Sequence, residues 1–272
     1  MLARLLVRST IALTLLGCVG DEPAATSTPV VDAGEAPGEK DAEPAPAPPS
    51  DDGGGPTPGG PLELDIHVLR NPNAAGHPTY GTKVKVKGLV VSGAKTAGST
   101  HGFFAQHESN VVWGGIFVFV GSAPVSVAPG DKINVTGEYA TYQGQDQIHA
   151  TLDDIERTAS ALTVTAVNVA LTDINNGGGR ALELQSVYLS VKNVEVLSAP
   201  PGLNFRVRPI AGGSDELVIT SYVANDIDPS PFTPQVGNRF STIRGFGYRV
   251  GPTEVAMVNK LAPLGAADLE AE

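Results

Sequence analysis

The chain has 272 residues, of which 17% are charged, with 29 Asp and Glu against 18 Lys and Arg for a formal charge of −11. The charge is uneven: residues 19–61 hold nine acids and one lysine, while residues 62–272 hold 15 Lys and Arg against 20 Asp and Glu. This balance argues against tight, sequence-independent nucleic-acid binding and leaves room only for a local basic stripe. A single cysteine excludes an intramolecular disulfide.

Residues 1–18 have the layout of a targeting segment. Arg4 and Arg8 form a positive start, and the apolar run Ser9 to Leu16 is too short for a stable membrane span. The run ends in Leu15-Leu16-Gly17-Cys18, which resembles the bacterial lipobox. That resemblance implies cleavage before Cys18 and acylation of its thiol; a plain secretory signal with an incidental cysteine is the other reading. Val19-Gly20 lacks the Asp that holds enteric lipoproteins at the inner membrane. The expected address is therefore the outer membrane or cell surface of a Gram-negative bacterium.

Residues 19–61 are Pro, Ala, Gly and acids, including Pro-Ala-Pro-Ala-Pro-Pro at 44–49. Such a composition buries too little apolar surface to offset chain entropy, which predicts a disordered acidic linker. At about 3 Å per residue it would reach on the order of 100 Å.

Ordered sequence begins near Leu62. Leu64, Ile66 and Val68 alternate, and Tyr80 to Val91 reads as a strand with Val84, Val86 and Gly88 inward and Lys83, Lys85 and Lys87 outward. Gly102 to Gln106 and the apolar run Gly115 to Val120 follow. The turn Pro129-Gly130-Asp131 then leads into Lys132 to Tyr139, where Ile133, Val135, Gly137 and Tyr139 alternate with polar residues. Gly137 inside that strand suggests a bulge, and a fifth strand lies around Gln147-Ile148. Asp153 to Ala161 is the only segment read as a short helix or helical turn.

The second half repeats this order. Gly179 to Gln185 and Val187 to Val196 stand where Gly81 to Val91 stood, Asn204 to Arg208 matches Gly102 to Phe104, and Glu216 to Thr220 matches the Ile116 strand. Val236 to Gly245 matches Pro129 to Gly137, and Tyr248 to Val255 parallels Tyr142 to Ile148. The expected fold is all-β, with two tandem five-stranded Greek-key barrels of OB type at 62–160 and 161–265 and an acidic tail at 266–272. The first half also resembles the OB-like modules that accompany secreted bacterial endonuclease/exonuclease/phosphatase nucleases. In those proteins the chemistry belongs to a separate catalytic domain, whose metal-binding Glu and Ser-Asp-His-x-Pro motifs are absent here.

No catalytic or metal signature emerges. His67, His77, His101, His107 and His149 match no zinc spacing, and the loop opening at Asp173 has Leu184 where a calcium loop needs Glu. No nucleophile elbow is present. These observations point away from an enzyme and imply no cofactor. The candidate ligand face comprises Lys83, Lys85 and Lys87 for charge, with Trp113, Tyr139 and Tyr142 for stacking; core packing and solvation are the competing roles for the same residues. The sequence leaves three partners open besides the membrane anchored at Cys18: a single-stranded nucleic acid, a glycan, or a protein such as a separately encoded nuclease.

Overall fold

The computed structural model describes residues 59–95, 101–227, 232–251 and 257–272. The expectations for the signal segment, for Cys18 and for all but the end of the linker lie outside these residues. The first sheet contains β1 (Leu62–Leu64), β2 (Lys83–Lys95), β3 (His101–Gln106), β4 (Gly115–Gly121), β5 (Lys132–Tyr142), β6 (Gln145–His149) and β7 (Ile155–Ala159). It closes on itself in the order β2-β3-β4-β6-β5-β2. Only β4 and β6 run parallel within that ring, while β1 and β7 extend it along β2 and β5. This is the five-stranded Greek-key closure of an OB-type barrel.

The second sheet contains β8 (Val167–Asn168), β9 (Tyr188–Ser198), β10 (Asn204–Pro209), β11 (Leu217–Thr220), β12 (Arg239–Val250), β13 (Val258–Ala262) and β14 (Leu269–Ala271). Its order, β9-β10-β11-β13-β12-β9 with β11 parallel to β13, repeats the first strand for strand. The duplication reaches the flanks, since β8 runs parallel to β9 as β1 does to β2, and β14 pairs β12 as β7 pairs β5. The molecule is thus all-β, two tandem OB-like barrels.

Four local readings change. Ile66 and Val68 belong not to a strand but to α1 (Ile66–Arg70), where the Asp65 carboxylate accepts from the His67 N–H and Ile66 and Leu69, three apart, enter the core. Gly137 pairs regularly with Val84, and the bulge in that pairing falls between Val86 and Leu89, at Gly88 with φ +73°. Gly137 is instead required by close approach, because a Cβ there would meet the His149 carbonyl. The helix or helical turn expected at Asp153 to Ala161 shrinks to a 3₁₀ turn at Leu152–Asp154, followed by β7; the α-helices are α1, α2 (Leu171–Ile174) and α3 (Tyr222–Ile227) among the described residues. The segment 266–272 is not a free tail: Ser241 Oγ donates to the Glu270 carbonyl and Arg244 pairs with the Glu270 carboxylate, fixing β14 to β12.

Each barrel has its own core, centred on Val84, Phe103, Ile116, Ile133 and Ile148 in the first and on Leu189, Val207, Ile219 and Ile243 in the second. A third apolar cluster joins them, with Phe104 and Phe117 from the first barrel against Val223, Phe246 and Ala262 from the second. Residues 55–272 accordingly form one compact unit.

Candidate ligand cleft between the barrels

OB barrels present ligands to the outer face of their second and third strands. In the first barrel these are β3 and β4, whose inward residues Phe103, Ala105, Ile116 and Val118 build the core. Period two then turns Phe104, Phe117 and Phe119 outward. That outward face is covered by the second barrel: the Phe104 and Phe246 rings stack with centroids 4.0 Å apart and planes 8° apart. The first barrel's customary binding face is occupied from within the chain.

One end of the covered face stays open. There Phe119, Tyr142, Gln145, Gln147 and His149 of the first barrel and Lys95 at the end of β2 meet Tyr222, Val223 and Tyr248 of the second around a cleft of about 290 Å³. Tyr222 and Tyr248 lie with ring centroids 6.0 Å apart and planes 29° apart. His149 rests against the Phe119 ring at 5.0 Å, and its Nε2 lies 3.2 Å from Gln147 Oε1. Lys95 Nζ sits 5.8 Å from the Tyr222 ring centroid. Among the described residues the lining holds aromatic faces, amides, an imidazole and an ammonium, and no carboxylate. Ring stacking edged by a few hydrogen-bonding groups is the chemistry this lining supports.

The residues expected to form one ligand face are dispersed. Lys83, Lys85 and Lys87 do alternate on the outer side of β2, but they border β1 and β5 rather than β3 and β4. Lys87 pairs with Glu63 at 2.6 Å, Lys85 lies opposite the same Glu63 in the register, and Lys83 lies opposite Glu138. The stripe is locally neutralised. Tyr139 is buried at 1% exposure, with its O–H donating to Asp146 Oδ2 at 3.0 Å, so it offers no ring face. Burial holds that hydroxyl well above the usual phenol range. Trp113 is part-buried in the β3–β4 loop, where its backbone N–H donates to the Glu183 carbonyl at 2.7 Å. Only Tyr142, 58% exposed, reaches the cleft.

Sequence reasoning missed Arg70, Asp146, Tyr222 and Tyr248. Arg70 of α1 is 1% exposed and pairs with Asp146. Its Nε donates to the Gly115 carbonyl at 2.8 Å and its Nη2 to the Leu182 carbonyl of the second barrel at 3.3 Å. Tyr80 also donates to Asp146, at 2.9 Å. A signal for the seam did exist: Ile116 to Val120 is apolar at every position, the mark of a strand buried on both faces.

No known protein family matches the chain, and no curated protein does. Among solved structures it is similar to one described as the crystal structure of the tetrameric p202 HIN2, at 14% identity and a TM-score of 0.33, over 69% of this chain and 91% of that one. The fold assignment rests on strand order and register alone.

Proposed function

We propose that this chain is a non-catalytic glycan-binding module, held at the outer membrane or cell surface by a lipid on Cys18, whose cleft between the barrels takes ring units of a polysaccharide. The observation that carries this reading is the cleft lining: tyrosine and phenylalanine faces beside Gln145, Gln147 and His149, with no carboxylate among the described residues. Sugar rings stack their C–H faces on aromatics and hydrogen-bond sideways to amides, whereas glycoside hydrolysis needs a carboxylate pair. A single-stranded nucleic acid would need a cationic track beside the stacking platform. Lys87, Lys132, Arg206, Arg208 and Arg244 are instead each paired with a glutamate, at Glu63, Glu108, Glu216, Glu195 and Glu270, which leaves too few open cations for such a track among the described residues.

The test is an oligosaccharide array probed with the full chain, followed by titration of the strongest hit. Tyr142→Ala should weaken that hit about tenfold, equivalent to about 1.4 kcal/mol of stacking, without changing the melting temperature, because Tyr142 is exposed. Binding indifferent to Tyr142→Ala removes the cleft as the site; tighter, steeply salt-dependent binding of oligo-dT replaces glycan with nucleic acid.

The anchor has its own test. Cys18→Ser should abolish incorporation of labelled palmitate and move the protein from the membrane pellet to the soluble fraction. A processed Cys18→Ser protein that stays with the membrane sinks the lipid anchor.

A further inference from the structure

We infer that the second barrel adds a carboxylate-recognising position, Lys260, to the edge of this cleft, so that the glycan it takes is acidic; this rests on the glycan reading above. The argument starts from register. In the first barrel Phe104 pairs Phe117, which pairs Gln147; in the second, Arg206 pairs Val218, which pairs Lys260. Where the first barrel's outer face carries two aromatics and an amide, the second carries two cations around a valine.

The row does not stop at Lys260. Its neighbour on β12 is Tyr248, which lines the cleft. Directly opposed residues have Cβ atoms about 4.5–5.5 Å apart. Lys260 alternates with the core residue Leu261, so its side chain shares the outer face with Tyr248. The Lys260 ammonium itself leans across β11 to Asn204 on β10, away from Tyr248, so it meets the substituents of a ring stacked on Tyr248 by swinging its flexible four-carbon stem back toward β12.

That ammonium is the unusual charge of this face. It is half-buried, and burial lowers its pKa below the ordinary lysine range. It donates to Asn204 Oδ1 at 3.2 Å, and no carboxylate pairs with it among the described residues. An ammonium has three N–H donors, so one neutral amide leaves donors to fill. Arg206, by contrast, pairs with Glu216 at 3.1 Å, and Arg208 with Glu195 at 2.7 Å. One uncompensated cation beside a stacking ring suits a ligand with one carboxylate per recognised unit, a uronate-type sugar. A chain with a phosphate on every unit would need several such cations.

The experiment uses the full chain on paired oligosaccharides, each neutral hexose oligomer set against the uronate oligomer that differs only at C6. Uronate members are expected to bind about tenfold tighter than their neutral partners. Lys260→Gln should bring the uronates to the neutral level and leave the neutral oligomers unchanged, while Lys260→Arg retains the preference. Melting temperatures of both variants control for folding. Equal binding of the two members of each pair, or an equal loss on both in Lys260→Gln, overturns the carboxylate position and leaves the glycan reading standing if Tyr142→Ala still weakens both. No binding on either member, or oligo-dT binding tighter than any sugar, overturns both.

Discussion

Replacing Asp146 by alanine is expected to destabilise the fold by about 3–5 kcal/mol, the cost of leaving a buried charge without its partner. The reason lies in Arg70, which is 1% exposed. Burial lowers its guanidinium pKa to about 10, still well above neutrality, so the group stays charged in the folded protein. Asp146 is the only carboxylate that pairs with it among the described residues, and it also accepts from the Tyr80 and Tyr139 hydroxyls. Removing the carboxylate strips the charge balance and two hydroxyl acceptors together. Asp146→Asn keeps the shape and one acceptor but no charge, so an intermediate loss is expected. Arg70→Met combined with Asp146→Leu removes both charges and should recover part of the loss, as apolar replacement of buried pairs does elsewhere. Urea unfolding gives the comparison. A loss below about 1 kcal/mol for Asp146→Ala would mean that the pair contributes little and that water compensates Arg70.

This pair also shows what the sequence could and could not disclose. The barrels were legible because alternation of period two is local: Ile133, Val135 and Tyr139 declare an inward face without knowledge of any partner. The repeat was legible because the turn at Gly237, φ +86°, echoes that at Gly130, φ +91°. Arg70 and Asp146 are 76 positions apart and meet only after closure, so nothing near either residue announces the other. The lysine stripe was read correctly as a strand face, but its neutralisation comes from Glu63 on β1, a pairing set by tertiary structure. Tyr139 fell on the core side of its own alternation, and that local signal outweighs its aromaticity as a sign of ligand contact. Tyr222 and Tyr248 carry no motif and become a site only because a second barrel lies across the first. The resemblance of the halves predicts two similar cores; it does not predict that one barrel will serve as the other's ligand.

That docking leads to the second large effect. Phe246→Ala is expected to cost about 3–5 kcal/mol, the range for a buried Phe truncated in a core, and to split one unfolding transition into two. Phe246 is fully buried although it lies outside either barrel's own core, stacked on Phe104 and flanked by Tyr188. Deleting its ring opens a cavity at the seam while both inner cores keep their contacts, so the stability lost is mainly that of the joint. Around it the backbones pass close. A Cβ on Gly93 would come 2.6 Å from the Phe246 ring, and one on Gly115 would come 2.7 Å from the Gln185 carbonyl. Gly115→Ala therefore pushes the barrels apart by a different route, with an expected loss of about 1–3 kcal/mol for overpacking. Hydrogen bonds cross the same line, from the Tyr188 N–H to Gln106 and from Gln185 Nε2 to the Gly144 carbonyl. Residues 59–160 expressed alone would present Phe104, Phe117 and Phe119 to water, an apolar patch of the kind that drives self-association. Calorimetry of the full chain should show one transition, Phe246→Ala two, and the isolated first barrel should sediment as more than a monomer. A monomeric, soluble first barrel with its melting temperature unchanged would mean that the aromatic face tolerates exposure and that the seam is a contact of convenience rather than a shared core.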